Sequence, residues 1–126
     1  MSNSQYKSMY HLIGQTVSTG GIQEVYSIDK NKSIMPYLKK INVCNLDIND
    51  TSISLGVAKL GEILGQDKHY LEYNLFLERA DSTSHKPNSY AIDLDIGLNA
   101  GDVFFINTPS DKVAINIFWL EEGNMQ

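Results

Sequence analysis

The chain carries one cysteine, Cys44, in the stretch INVCNLDINDTSISLGVA, and three histidines, His11, His69 and His85. A cysteine nucleophile must be a thiolate at working pH, a state usually secured by a nearby histidine, a cationic side chain or a helix N-terminus. No helix start lies beside Cys44, and no histidine stands in a local signature that would pair with it. A cysteine between alternating apolar residues reads instead as a small buried hydrophobic side chain of a strand. The histidines are widely separated, and no His or Cys pair has the close spacing of a metal-ligand box. His85 falls in a polar tract and is expected in solvent.

Two carboxylates offer a second chemistry. Asp93 and Asp95 in IDLDI share one face of a strand, where paired carboxylates can hold calcium or act as acid and base. The same alternation places Ile92, Leu94 and Ile96 on the opposite face, which makes the aspartates the outward polar side of a half-buried strand. Asp102, in the segment NAGD, is a turn residue. The sequence therefore assigns no catalytic, cofactor-binding or metal-ligating residue, and a small hydrolase built on Cys44 or on the Asp93 and Asp95 pair is the least supported class.

Composition narrows the partners. The 126 residues are 42% hydrophobic and 20% charged, enough for one domain with a core of its own. No apolar run reaches the roughly 18 residues of a membrane span. The N-terminal MSNSQYKSMYHLIG lacks the basic start and apolar stretch of a secretory signal, so export is not expected. A single cysteine excludes an intramolecular disulfide. The net charge of -5, with scattered basic residues, argues against nucleic acid and anionic membrane as partners, since both are bound chiefly by clustered Lys and Arg.

The elements that must position these residues repeat with period two. Residues 1–9 are polar and expected as a flexible N-terminal arm, with a single β-sandwich domain over 10–122. Short strands are expected near Tyr10 to Gly14 and Ile22 to Ile28. In IMPYLKKINVCN, strict alternation sets Leu38 and Lys40 against Lys39, Ile41 and Val43; the turn chemistry of LDINDT then predicts a hairpin to a strand over Thr51–Lys59. A glycine-punctuated loop comes next at 60–67, with one helical turn near Glu62 to Leu64. In HYLEYNLFLER, alternation places His69, Leu71, Tyr73, Leu75 and Leu77 on one side and Tyr70, Glu72, Asn74, Phe76 and Glu78 on the other. After a polar loop at 80–89 come strands near Tyr90–Ile96, Asp102–Thr108 and Lys112–Leu120. Seven or eight short strands with no extended helix describe an all-β antiparallel sandwich of the jelly-roll kind.

Aromatic residues occupy both faces of these strands. The neighbours Phe104 and Phe105, like Phe118 and Trp119, cannot all enter one core. They require a second packed layer or a subunit interface over the other face.

The order of VYSI, INVCN, ISLGVA, DKHYLEYNL, IDLDIGLNAGDVFFI and INIFWLEE resembles a family of small all-β virion proteins of tailed bacteriophages. The resemblance spans about residues 22 to 121 and is most specific at Val43, Cys44 and Asn45, at Lys68, Tyr70, Leu71 and Tyr73, and at Ile96, Leu98, Ala100, Gly101 and Asp102. The chain departs from it at Ser27, Ile28 and Asp29, where the family often has a Val-Pro turn, and in the longer loop Ala80 to Ser89. These are strand and turn positions, so the resemblance implies a fold and a virion context rather than a reaction. It implies a non-enzymatic capsid decoration protein, or a neck, tail or baseplate component, that forms homo-oligomers and binds the major capsid protein or tail and neck subunits. The alternative is a receptor- or carbohydrate-binding module of a tail fibre.

Overall fold

A computed structural model describes residues 6–31, 36–80 and 88–124, of which 6–13 and 121–124 are defined by backbone pairing alone. Eight strands form: β1 (Tyr6–Val17), β2 (Gly21–Ser27), β3 (Tyr37–Asn45), β4 (Thr51–Ala58), β5 (Tyr70–Leu77), β6 (Ser89–Gly97), β7 (Val103–Thr108) and β8 (Val113–Asn124). They make two four-stranded antiparallel sheets, ordered β1-β8-β3-β6 and β2-β7-β4-β5. The first is called the β1 sheet and the second the β2 sheet. Only β4 and β5 are neighbours both in sequence and in one sheet; every other connection crosses between the layers. That interleaving is the jelly roll, two Greek keys folded into a sandwich.

The core is what alternation supplies from each side. Val113, Ile115, Ile117 and Trp119 of β8 meet Ile53 and Leu55 of β4 and Phe104 and Ile106 of β7, all essentially buried. The Tyr26 ring stands edge-on to Trp119 at 4.6 Å, an aromatic geometry favoured by the ring quadrupoles. Each such side chain contributes about 1.5–3 kcal/mol by leaving water.

Five sequence expectations are corrected by the fold. The strands on either side of LDINDT do not form a hairpin: β3 pairs with β6 and β8, whereas β4 pairs with β5 and β7. The intervening residues form an arch between the sheets, and Asn45 braces it. Its amide donates to the carbonyls of Asn49 (2.8 Å) and Glu78 (3.1 Å), while its Oδ1 accepts from the Asp47 N–H (2.9 Å). Asx-type turn residues serve an arch as well as a hairpin, so local turn chemistry does not separate them.

The faces of β3 are also not strictly alternating. Lys39 is an extra residue between the Leu38–Trp119 and Lys40–Phe118 pairs. This bulge returns Leu38 to the side of Ile41 and Val43, all fully buried, and turns both lysines outward. In β5 an extra residue between the Ile53–Leu75 and Leu55–Glu72 pairs leaves Asn74 at φ 53°, a value Asn tolerates better than most residues. The Asn74 N–H donates to the Ser54 hydroxyl at 2.9 Å. Tyr73 consequently joins Tyr70 on the outer face, while Leu75 and Leu77 pack toward the core.

Tyr6–Met9, expected within a flexible arm over residues 1–9, pair with Glu121–Asn124 of β8, and residues 1–5 lie outside the described residues. The helical turn forms at Asp67–His69 as a single 3-10 turn rather than at 62–64. Among the described residues, no helix is long and apolar enough to cross a membrane.

Candidate functional site

Cys44 and His69, the described residues closest to a nucleophile–base pair in type, lie on opposite outsides of the sandwich. Cys44, expected to be buried, stands half-buried on the outer face of the β1 sheet between Ser89 and Ala114, because the inward positions of β3 go to Ile41 and Val43, and its Sγ lies 4.0 Å from the Asn45 carbonyl oxygen. His69 packs over Phe105 on the outer face of the β2 sheet, with ring centroids 6.1 Å apart. Both sheets, packed about 10 Å apart, intervene. His11, on β1, pairs through its backbone with Trp119 of β8, and His85 lies outside the described residues. Among the described residues, no three His, Cys, Asp or Glu side chains converge as metal ligands.

His69 nevertheless belongs to a cluster that the sequence reading missed. Its Nδ1 accepts the Gln66 N–H at 3.2 Å, so the ring proton resides on Nε2 and points at Glu62 Oε1, 3.0 Å away. Glu62 also takes Lys68 Nζ at 2.7 Å and the Lys59 N–H at 2.9 Å. The Lys68 ammonium first, and then the Lys59 amide, lower the Glu62 carboxyl to a pKa of about 2. A glutamate, a histidine and a lysine in contact resemble acid–base machinery, yet both ring nitrogens are engaged and the ring is buried. The cluster therefore clamps the β4–β5 connection onto the sheet. No local motif announces it, because Glu62 and His69 are brought together by a loop that doubles back.

That connection is a roof. Phe105 is 0% exposed although it points away from the core, covered by His69 and by Tyr70, whose ring centroid is 5.6 Å away. Gly56 lies directly beneath: a Cβ there would stand 2.6 Å from the His69 carbonyl oxygen and 2.6 Å from Phe105 Cζ. Only glycine lets the loop approach this closely. Gly65, farther along the loop, rests against the Ile22 side chain of the edge strand β2. The roof thus extends from β4 to the opposite side of its sheet.

Asp102 is held where the turn reading expects it. Its Oδ2 accepts the Asn99 N–H at 2.8 Å and Lys59 Nζ at 3.0 Å, and its own N–H donates to the Asn99 carbonyl. Gly101, at φ 86°, completes this turn in the left-handed region.

Two of the open surface hollows bear on these residues. One, of about 430 Å³, is lined by Asp67, Tyr70 and Tyr73 at the rim of the roof. Tyr73 is 66% exposed there, and the Tyr70 oxygen accepts the Asn107 amide at 3.1 Å. The other, of about 500 Å³, lies on the outer face of the β1 sheet between Lys39, Lys40, Asp93, Asp95 and Phe118. Asp93 and Asp95 do face outward, and the structure brings them together with two lysines. Lys39 Nζ binds Asp95 Oδ1 at 2.6 Å, and the Tyr37 hydroxyl donates to the Asp95 carbonyl at 3.0 Å. Asp95 adopts φ 50° in the bulged part of β6, which directs it to this lysine.

No family model matches the chain, and no curated protein matches it. Among solved structures it is similar to the Tobacco streak virus coat protein dimer, with a TM-score of 0.43 and 8% identity over 100% of this chain and 89% of that one. The jelly-roll assignment stands on this chain's own strand order.

Proposed function

We propose that this chain is a non-enzymatic structural subunit of a tailed-phage virion, a capsid decoration protein or a neck, tail or baseplate component that works by packing against other subunits. The observation that carries this reading is the unequal treatment of the two outer faces. On the inner strand β7 the outward Phe105 is covered by the chain's own loop, whereas on the inner strand β8 the outward Phe118 is left half-buried beside four charged side chains. A sheet face with a large aromatic and both signs of charge suits protein contact better than turnover. The phage assignment comes from the sequence resemblance over 22–121, and the jelly roll is compatible with it, being a common plan for capsid domains. Repetition in a symmetric particle would let modest contacts sum to a stable assembly. Mass spectrometry of purified particles is the test: the chain should be present in many copies, and its absence would defeat the proposal.

The hollow at Asp67, Tyr70 and Tyr73 supports a second reading, a carbohydrate-binding module. An exposed tyrosine offers a flat face for a sugar ring, and the neighbouring carboxylate accepts hydroxyl hydrogens. Glycan-array binding that disappears in Tyr73→Ala and Asp67→Asn would favour it over the structural role.

A further inference from the structure

Lys40 and Asp93 are direct cross-strand partners on β3 and β6. Opposite charges in that position ordinarily pair with one another. Here the Lys40 ammonium lies instead over the Phe118 ring, 5.9 Å from its centroid. Among the described residues, no hydrogen bond or ion pair engages the Asp93 carboxylate. The adjacent pair behaves differently, since Lys39 and Asp95 are closed at 2.6 Å. One hollow therefore holds a neutralised pair and an open one.

We infer that the outer face of the β1 sheet binds a second copy of this chain about a two-fold axis, with Lys40 of each copy meeting Asp93 of the other and the Phe118 rings beside them. This contact rests on the structural-subunit reading and gives it a specific surface. A positive and a negative group side by side become self-complementary when a two-fold axis passes between them, because rotation carries each onto the other. The chain's net charge of -5 makes that matter: two copies repel unless the patch that joins them contains cations as well as anions. Lys39 and Lys40 supply the cations here.

The rest of the face permits close approach. Successive cross-strand rows run Phe118–Lys40–Asp93, Asn116–Asn42–Ala91 and Ala114–Cys44–Ser89, so bulk and charge occupy one end and small side chains the other. Sheets packed face to face sit about 10 Å apart, a distance that small residues allow. Four strands spaced about 4.8 Å, taken over the nine residues of the shorter two, give roughly 600 Å² in projection and more as accessible surface. That approaches the roughly 800 Å² per partner of a standard interface. Phe118 is the aromatic anchor, and the charges set orientation.

Sedimentation velocity of the purified full-length chain across a concentration series reads the contact directly. Wild type should dimerise, and more weakly at about 0.5 M than at about 0.05 M salt. Lys40→Asp and Asp93→Lys, each of which sets like charges against each other in both halves of the contact, should weaken association by at least about tenfold. The double variant K40D/D93K restores opposite charges and should recover most of it. A wild-type chain that stays monomeric, single variants that associate like wild type, or a double variant no better than the singles would overturn the inference. Particle composition is scored separately. A chain present in particles whose Lys40→Asp variant self-associates normally removes this contact and leaves the subunit reading intact; a chain absent from particles whose charge swap restores dimers does the reverse.

Discussion

Phe105 and Phe118 are both outward-facing phenylalanines on inner strands of their sheets, yet one is fully buried and the other is not. The difference lies in the loop available to each sheet. The β4–β5 connection folds back over the β2 sheet, anchored by the Glu62–His69–Lys68 cluster and admitted by the missing side chain of Gly56. The corresponding surface of the β1 sheet keeps its hollow of about 500 Å³ open. Among the described residues, a loop of the chain covers Phe105 whereas Phe118 lines an open hollow, so one outward patch is closed for stability and the other is available for contact.

The largest expected effect tests that division. Phe105→Ala should cost about 3–5 kcal/mol in denaturant unfolding, as for a buried core phenylalanine, although the residue faces away from the core. Phe118→Ala should cost less, about 1–2 kcal/mol, since its ring is only partly buried, and its effect should appear in self-association. Equal losses would erase the distinction between the faces.

Gly56→Val comes next. The added side chain enters space held by the His69 carbonyl and the Phe105 ring, so a loss of about 1–3 kcal/mol is expected, with faster hydrogen exchange across 59–69. An unchanged exchange pattern would mean that the loop does not depend on this close approach.

Glu62 connects the roof to pH. Its carboxyl titrates at about 2 in the folded chain against an ordinary 4.5, so folding favours the ionised form. The stabilisation is complete above the ordinary value and is lost as pH falls toward and through about 2. Melting temperatures of wild type and Glu62→Gln should therefore differ near neutrality and converge as pH drops through that window. A gap that does not narrow would remove Glu62 as the clamp.

The smallest effect belongs to the open face. Asn42 has a buried Oδ1 without a donor, so Asn42→Ala removes a liability along with a side chain and should change stability by less than about 1 kcal/mol. The contrasting Asn45→Ala, which strips the carbonyls of Asn49 and Glu78 of their donor, should cost about 2–3 kcal/mol. Comparable values would show that position in the arch does not matter.

Much of the architecture was legible because burial repeats every second residue. The alternation of Ile92, Leu94 and Ile96 predicts the inner face of β6 correctly, and the inner face of β8, Val113, Ile115, Ile117 and Trp119, follows the same period. β3 resisted the same rule because one extra residue at Lys39 reverses every face before it, and nothing in Leu-Lys-Lys-Ile marks a bulge. Tyr73 was misassigned for the same reason at Asn74. The surplus aromatics were legible as a demand for a second layer; that the chain itself meets the demand at Phe105 was not.

By itself the sequence determined the class of fold, the inward set of β6, the turn role of Asp102 and the strand position of Cys44, all of which depend on residues adjacent in the chain. Tertiary structure decided which strands pair, so that LDINDT became an arch, and which outward faces are covered. It also joined Glu62 to His69 and set Lys40 opposite Asp93. The physical reason is range: side-chain alternation and turn chemistry act over a few residues, whereas pairing between sheets and the seating of a loop are settled by competition among distant surfaces for burial.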